Sequence, residues 1–232
     1  MSKQALFVFT SHDSLGDTGE HTGYHLAEAS HVWKVLDDAG VKVHFASIRG
    51  GQAPIDPASH DLDDDTNRQF LNDRRVQSAL QLTQAVAKVD SEDYNILYFP
   101  GGHGTMWDFP NNEHIAKLIN GVYRNGGIVA AVCHGPAAFI GVKKDDGSYF
   151  VKGHRIAAFT NDEERVAEKA GVVPFLLHDK LKEQGATLEP GANFKAQVVT
   201  DGRLVTGQNP ASAKPLGEAI LTALEEVART DD

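Results

Sequence analysis

Short apolar segments, rich in β-branched and aromatic residues, alternate along this chain with longer segments of helical periodicity. Four of the apolar segments are predicted strands (residues 5–9, 41–46, 95–99 and 128–132). Between them the pattern predicts three helices, with Gly40 just past the end of the first (residues 22–39, 66–89 and 112–124). Strands that alternate with helices imply a mainly parallel sheet with helices packed on both faces.

The second half of the chain continues this pattern less regularly. A strand at 155–159, a helix at 174–184 with Pro174 as its first residue, and a last helix at 211–229 are predicted. Segments 195–200 and 203–206 flank Asp201-Gly202, a turn sequence that predicts a β-hairpin. No repeat, low-complexity tract or linker divides the sequence, so residues 1–232 are expected to form one domain.

The charge balance argues against some classes of partner. The chain has 22 basic and 32 acidic residues, a formal net charge of −10, whereas nucleic acids and anionic membranes are bound by basic surfaces. No signal peptide is recognised, and no apolar segment approaches the ~20 residues of a membrane helix. A single cysteine can form neither an internal disulfide nor a multi-cysteine metal site. We therefore expect a cytoplasmic protein that binds neither nucleic acid nor membrane.

The single cysteine, Cys133, stands where a predicted strand runs directly into a predicted helix start. Its surroundings read Ala130-Ala131-Val132-Cys133-His134-Gly135-Pro136-Ala137-Ala138. The small residues and Gly135 allow a sharp turn that resembles a nucleophile elbow, and a helix N-terminus would stabilise a thiolate. A lone cysteine is more often a buried structural residue. The turn and the adjacent histidine favour a nucleophile here.

The preceding strand ends in a glycine-rich segment, Pro100-Gly101-Gly102-His103-Gly104. The Gly102 N–H could face the same crevice and join the His134 N–H in stabilising an oxyanion. An ordinary strand-to-helix turn is the alternative interpretation. The segment lacks the third glycine of a dinucleotide fingerprint and the Gly-Lys-Ser/Thr of a P-loop, so it predicts neither kind of site.

Acidic residues offer several candidates for orienting an imidazole. Asp162, Glu163 and Glu164 follow the predicted strand 155–159, and any one of them could be the third member of a triad. They could equally be the acidic first turn of a helix. Glu28, inside the first predicted helix, is by its sequence no different from a solvated helix glutamate.

The histidines do not form a recognisable metal site. His21 and His25 are four residues apart, which suits one helix face, but no third ligand accompanies them. Surface histidines are therefore expected, and no metal or other cofactor is predicted.

Three segments, taken in order, resemble the DJ-1/PfpI superfamily, whose members have the class I glutamine amidotransferase-like, flavodoxin-like fold. They are the Cys133 turn, segment 100–104 and Thr206-Gly207-Gln208-Asn209-Pro210-Ala211-Ser212. Their spacing, the chain length and Val173-Pro174-Phe175-Leu176-Leu177 resemble the branch of heat-inducible chaperones and glyoxalase III proteins. The resemblance covers nearly the whole chain and implies an α/β three-layer sandwich with a mainly parallel sheet.

The resemblance also implies a site. Its members would be Cys133 as the nucleophile, His134 as the proton-transfer partner, Glu164 as the third triad member and Glu28 as the helix glutamate that meets the sulfur. The two acids before Glu164 remain alternatives for the third place. Because a carboxylate beside a thiolate is repulsive, we expect Glu28 to be protonated.

The activity implied by the resemblance is that of glyoxalase III, which converts methylglyoxal and water to lactate without glutathione, metal or other cofactor. The expected ligand is a small 2-oxoaldehyde, and the expected assembly is a homodimer. Two alternatives remain: a deglycase or other cysteine amidohydrolase, and a stress-inducible holding chaperone or redox sensor. These alternatives would act on glycated or unfolded proteins.

Overall fold

The structure is a computed structural model that describes residues 3–230, so residues 1, 2, 231 and 232 of the predicted domain 1–232 lie outside the described residues. In chain order the strands are β1 (Gln4–Phe9), β2 (Lys42–Ser47), β3 (Gln84–Ala85), β4 (Ile96–Phe99), β5 (Ile128–Val132), β6 (Arg155–Ile156), β7 (Thr187–Leu188), β8 (Val198–Asp201) and β9 (Leu204–Gly207). The main sheet has the order β3-β2-β1-β4-β5-β9-β8, and β6 pairs with β7 separately. Neighbours in the main sheet are parallel except β8 and β9.

The helices within residues 3–230 are α1 (Leu26–Asp38), α2 (Asp65–Asn72), α3 (Arg74–Gln81), α4 (Thr105–Asp108), α5 (Glu113–Arg124), α6 (Asn161–Val166), α7 (Leu177–Glu183) and α8 (Ala213–Thr230). Short 3₁₀ helices lie between several of them. None of these described helices has the length and apolar character needed to cross a membrane.

Helices cover both faces of the main sheet. Because alternate residues of a strand point to opposite faces, each strand contributes side chains to two cores. In β1, Leu6 and Val8 join the core on the α5 side. Phe7 and Phe9 join the core formed with α1 and α8. The predicted α/β architecture is confirmed: a flavodoxin-like sandwich with a mainly parallel sheet between two helical layers.

Most of the predicted strands are present, and so is the hairpin. The strand predicted at 128–132 is β5. The strands predicted at 5–9, 41–46 and 95–99 are β1, β2 and β4, with bounds that differ by no more than one residue at each end. β8 and β9 pair in antiparallel register around the turn, and Gly202 has a φ angle of 60°. The left-handed backbone that the turn requires explains the glycine.

The helix predicted at 66–89 is wrong. Asp73 ends α2 and begins α3, since its side chain accepts hydrogen bonds from the N–H groups of Arg75 and Val76. The short strand β3 then pairs with the edge of β2. An aspartate that caps a new helix interrupted a pattern that otherwise continued at helical spacing.

Four other predicted segments are shorter in the structure. Residues 22–25 are not helical, because Tyr24 bonds the Pro54 carbonyl, and α1 begins at Leu26; Gly40 follows α1 with a φ angle of 77°, as predicted. The strand predicted at 155–159 is regular only over β6, beside β7. The helix predicted at 174–184 begins at Leu177, so Pro174 is not its first residue. The last helix begins at Ala213, after a 3₁₀ turn.

Candidate active site

The candidate site forms at the carboxyl edge of β4 and β5. Phe99 is paired with Ala131, so segment 100–104 and the Cys133 turn leave the sheet side by side. β1 lies on the other side of β4, and α1 after it contributes Glu28. In open α/β sheets, ligands bind at this edge where the strand order reverses.

Cys133 occupies a strained turn between β5 and the 3₁₀ helix Gly135–Phe139. Its φ angle of 59° lies in the left-handed region, which residues other than glycine rarely adopt. The Cys133 N–H donates to the Gly207 carbonyl at 2.9 Å and holds the turn against β9. A Cβ atom on Gly135 would lie 2.1 Å from the Phe99 carbonyl oxygen, so the chain can turn here only with glycine. The sharp turn expected from the sequence is present.

The Cys133 thiol is buried, with 4% of the residue exposed. Burial raises the pKa of this thiol well above its ordinary value, and an ionised Glu28 would raise it further. The following helix is a five-residue 3₁₀ turn. The helix expected to stabilise a thiolate is this short 3₁₀ turn, and burial favours the protonated thiol, which would need a base in order to react.

His134 is placed to be that base. Its Nδ1 lies 3.3 Å from Cys133 Sγ, and its Nε2 lies 2.6 Å from Glu164 Oε2. Because an ionised carboxylate can only accept a hydrogen bond, Nε2 carries the proton and Nδ1 presents a lone pair to sulfur. Burial lowers the pKa of His134, which keeps the imidazole neutral. The Phe159 ring covers it, with centroids 4.4 Å apart.

Of the three consecutive acids, the structure brings Glu164 to His134. Burial opposes ionisation, but the imidazoles of His134 and His103 hold the pKa of Glu164 well below its ordinary value. Glu163 is buried elsewhere and accepts hydrogen bonds from the Thr160 N–H and the Asn209 amide. Asp162 is exposed and pairs with Arg165 at 2.5 Å. Successive helix residues point about 100° apart, which is why only one acid faces the imidazole.

Glu28 also meets the Cys133 thiol and is completely buried. Its Oε2 accepts the Gly101 N–H at 2.6 Å. Its Oε1 makes no regular hydrogen bond with a described residue, although the carboxyl interacts with the Cys133 thiol. Burial raises the pKa of Glu28 to about 8. This direction agrees with the expectation of a protonated Glu28.

Two backbone donors are free at this edge. Among residues 3–230, no acceptor takes the N–H of Gly102 or that of His134. Gly102 has a φ angle of 101°, and a Cβ atom there would lie 2.2 Å from the Gly23 carbonyl oxygen. Glycine thus lets segment 100–104 pack against the start of α1 with its N–H unsatisfied. Both N–H groups predicted for an oxyanion site are available to a ligand.

His103 is the site residue that sequence reasoning missed. Its Nε2 lies 2.7 Å from Glu164 Oε1, and its ring lies 4.2 Å from the His134 ring. The sequence signal was a histidine inside the glycine-rich segment already singled out for Gly102. Among the described residues, one group could hold a metal ion, since its possible ligand atoms all lie within 4.8 Å of one another. Its members are His103, His134 and Glu164. Their hydrogen bonds to each other use those same atoms.

Comparison with known proteins agrees with this architecture. The model of the DJ-1/PfpI family matches residues 21–223. The chain is 33% identical to "Glutathione-independent glyoxalase HSP31" of Saccharomyces cerevisiae, over 96% of this chain and 98% of that protein.

Solved structures agree over the same length. The Rapid Encystment Protein 24 KDa of Francisella tularensis superposes with a TM-score of 0.93 at 37% identity, covering 96% of this chain and 99% of that one. Glyoxalase III of Candida albicans superposes with a TM-score of 0.85 at 31% identity, covering 95% and 97%. The chain belongs to the DJ-1/PfpI family.

Proposed function

We propose that this chain is a glutathione-independent glyoxalase of the glyoxalase III type, which converts methylglyoxal and related 2-oxoaldehydes to 2-hydroxy acids such as lactate. The observation that carries the proposal is the alignment of Cys133, His134 and Glu164, with Sγ 3.3 Å from Nδ1 and Nε2 2.6 Å from the carboxylate. Full-length relatives that are named for this activity support the substrate class.

In the first step, His134 Nδ1 takes the thiol proton while Cys133 Sγ attacks the aldehyde carbon. A C–S bond forms, the π electrons of the aldehyde move to oxygen, and the N–H groups of Gly102 and His134 bind the oxyanion. The imidazolium is stabilised by Glu164 and then protonates the oxygen. The product is a hemithioacetal with His134 neutral again.

In the second step, His134 removes the hydrogen of the former aldehyde carbon as a proton, and the electron pair moves to the adjacent carbonyl oxygen to give an enediolate. His134 returns this proton to the second carbon, and the proton of the first hydroxyl passes to the oxygen on the second carbon. The result is an isomer of the hemithioacetal, a lactoyl thioester of Cys133. Addition of water across the C–S bond releases lactate and regenerates the thiol.

Glu28 has a supporting part in both steps. In its protonated form it can donate a hydrogen bond to sulfur, which carries negative charge when the C–S bond forms and when it breaks. Its anchor is the Gly101 N–H, so the carboxyl is held by the same segment that presents Gly102.

The decisive experiment measures lactate from methylglyoxal without glutathione, with the thiol confirmed as reduced. We expect wild-type turnover and a loss of at least roughly 1,000-fold in Cys133→Ala, because the covalent steps need the sulfur. His114→Ala, at a partly exposed histidine on α5 away from this site, is the matched control and should retain activity. The proposal would be overturned if Cys133→Ala still formed lactate, or if the reduced wild type formed none.

The burial of the sulfur favours a small aldehyde over a protein substrate. A deglycase must bring a modified side chain of another protein to Cys133, of which 4% is exposed. A redox sensor works best with an accessible, low-pKa thiol, and burial raises the pKa of this one. Deglycation of a glycated peptide without lactate formation would reverse this preference.

We also propose that the protein acts in the cytoplasm as a homodimer. The mechanism needs a reduced thiol, and Cys133 is free. The homodimer follows from the resemblance to the family, and sedimentation velocity of the purified protein tests it.

A further inference from the structure

His103 is a titratable side chain of the site that takes no part in the proposed steps of the glyoxalase reaction. It follows Gly102 directly, so the same segment carries a free oxyanion donor and this imidazole. Its ring lies 4.2 Å from the His134 ring, and its Nε2 lies 2.7 Å from Glu164 Oε1. Glu164 therefore binds two imidazoles, one on each carboxylate oxygen.

The shared carboxylate determines the tautomer of His103. Glu164 is ionised, so it accepts at both oxygens, and the proton in the 2.7 Å contact belongs to His103 Nε2. In the neutral imidazole, Nδ1 then carries a lone pair. Among residues 3–230, no donor is bonded to this Nδ1. His103 and Glu164 are thus a second imidazole–carboxylate pair with an open basic nitrogen.

The two pairs differ in their access to water. The side chain of His134 is 1% exposed and its Nδ1 faces sulfur, whereas the side chain of His103 is 18% exposed. A thioester on Cys133 would have its carbonyl oxygen at the Gly102 N–H, one residue from His103. Of the two imidazoles, His103 is therefore the one that solvent water can reach.

We propose that His103 is the general base that activates water for hydrolysis of the Cys133 thioester, with Glu164 serving both imidazoles. This division of labour rests on the proposed glyoxalase function. His134 handles the protons of the thiol and of the substrate carbon, and His103 handles the proton of water. The site is then a base–carboxylate–base array in which each imidazole meets a different reactant.

His103 Nδ1 takes one proton from water while the water oxygen forms a bond to the thioester carbon. The tetrahedral oxyanion, held by Gly102 and His134 N–H, collapses, the C–S bond breaks and the sulfur leaves with its electron pair. The carboxylic acid gives up its proton as lactate forms, and that proton returns Cys133 to the thiol. His103 releases its proton to solvent.

His103→Gln tests this role, because the amide can still donate to Glu164 but cannot act as a base. We expect steady-state lactate formation to fall at least roughly tenfold. The first turnover should still load Cys133, giving a burst that approaches one acyl group per protein. Hydroxylamine should release this group as lactohydroxamate, which separates a thioester from the isomeric hemithioacetal. His103→Ala should behave alike, with turnover partly restored by added imidazole.

Two results would overturn the proposal. Unchanged steady-state turnover in His103→Gln would mean that another group activates water. A slowed first turnover without an accumulated thioester would mean that His103 only positions Glu164. Failure of the glyoxalase function itself would be distinct, since the wild type would then make neither lactate nor lactohydroxamate.

Discussion

Two carboxyl groups flank the Cys133–His134 pair, and their surroundings drive their pKa values in opposite directions. Glu28 is buried without a cation beside it, which raises its pKa to about 8. Glu164 is also largely buried, yet the imidazoles of His134 and His103 hold its pKa well below its ordinary value. Such a separation assigns different tasks to chemically identical groups. At neutral pH these shifts favour a protonated Glu28, which can donate a hydrogen bond to sulfur, and an ionised Glu164, which can stabilise an imidazolium.

Glu28 should therefore set an alkaline limit on activity. Above about pH 8 its carboxylate forms beside the sulfur and raises the pKa of Cys133, so the rate constant kcat/KM for lactate formation should fall. In Glu28→Gln this limb should disappear. The acid limb, where His134 becomes protonated below its ordinary pKa, should remain in both proteins. Profiles measured from about pH 5 to about pH 10 check this.

Glu164→Gln is the comparison for that experiment. It leaves Glu28 intact and removes the anion behind His134, so its activity should be low at every pH. An alkaline limb that is unchanged in Glu28→Gln would assign that limb to another group.

At the scale of elements, α6 is held in place by Glu163 rather than by packing alone. Glu163 Oε1 accepts hydrogen bonds from the Phe194 N–H and from the Gln208 and Asn209 amides, at 2.7, 3.1 and 2.8 Å. The segment that follows β9 thereby binds the helix that carries Glu164. Since Gly207 also accepts the Cys133 N–H, the same segment supports both ends of the triad. This explains physically why segment 206–212 accompanies the cysteine turn.

Removing one of these donors should loosen α6. Asn209→Ala leaves a buried carboxylate short of a hydrogen bond, which should lower the free energy of unfolding by about 1–3 kcal/mol and reduce kcat. Asn120→Ala removes a comparable but exposed bond to the Lys143 carbonyl and should cost less than about 0.5 kcal/mol. Urea denaturation of both variants checks the difference. Equal losses would show that Glu163 does not depend on Asn209.

Elements with strong local signals could be predicted from the sequence, and elements defined by distant contacts could not. β5 and the Asp201-Gly202 hairpin follow from apolar runs and turn residues. β3 has two residues, and its pairing with β2 leaves no periodic pattern. The break at Asp73 needed the knowledge that its side chain caps α3.

The same distinction applies to the site. Cys133 and Gly102 could be brought together from the sequence, because adjacent parallel strands end at one edge. The contact of His103 with Glu164 joins residues 61 positions apart, so no pattern in the sequence around either residue indicates it. Glu28 is buried only because α1 lies over the end of β4, so its sequence neighbours could not distinguish it from a surface glutamate.

For the whole molecule, the site lies where the chain changes direction across the sheet. After β1 the chain builds outward through β2 and β3, then returns to the other side of β1 with β4 and β5. The connections that leave the strands on either side of this reversal come together at the same edge of the sheet. They supply Glu28, segment 100–104 and Cys133. As a consequence, the acidic side chain of Glu28 lies in the core.

That acid should make global stability depend on pH. The pKa of Glu28 rises from its ordinary value of 4.5 to about 8 in the folded protein, so the folded state retains a proton that the unfolded chain has released. The contribution of this proton to the free energy of unfolding is fully present below about pH 4.5. It is lost as pH rises through about 8, which lowers the free energy of unfolding by roughly 5 kcal/mol. The free energy of unfolding from urea titrations should therefore fall between about pH 5 and about pH 9.

Glu28→Gln should show a smaller fall over the same range, because the amide does not titrate. Glu92→Gln, at an exposed glutamate, is the matched control: it makes the same substitution where the carboxylate is solvated, and it should keep the wild-type slope. This separates the buried acid from the general repulsion of a chain with a net charge of −10. Parallel slopes in Glu28→Gln and Glu92→Gln would mean that the fold accommodates an ionised Glu28 without penalty, and the alkaline limb of activity would then need a different cause.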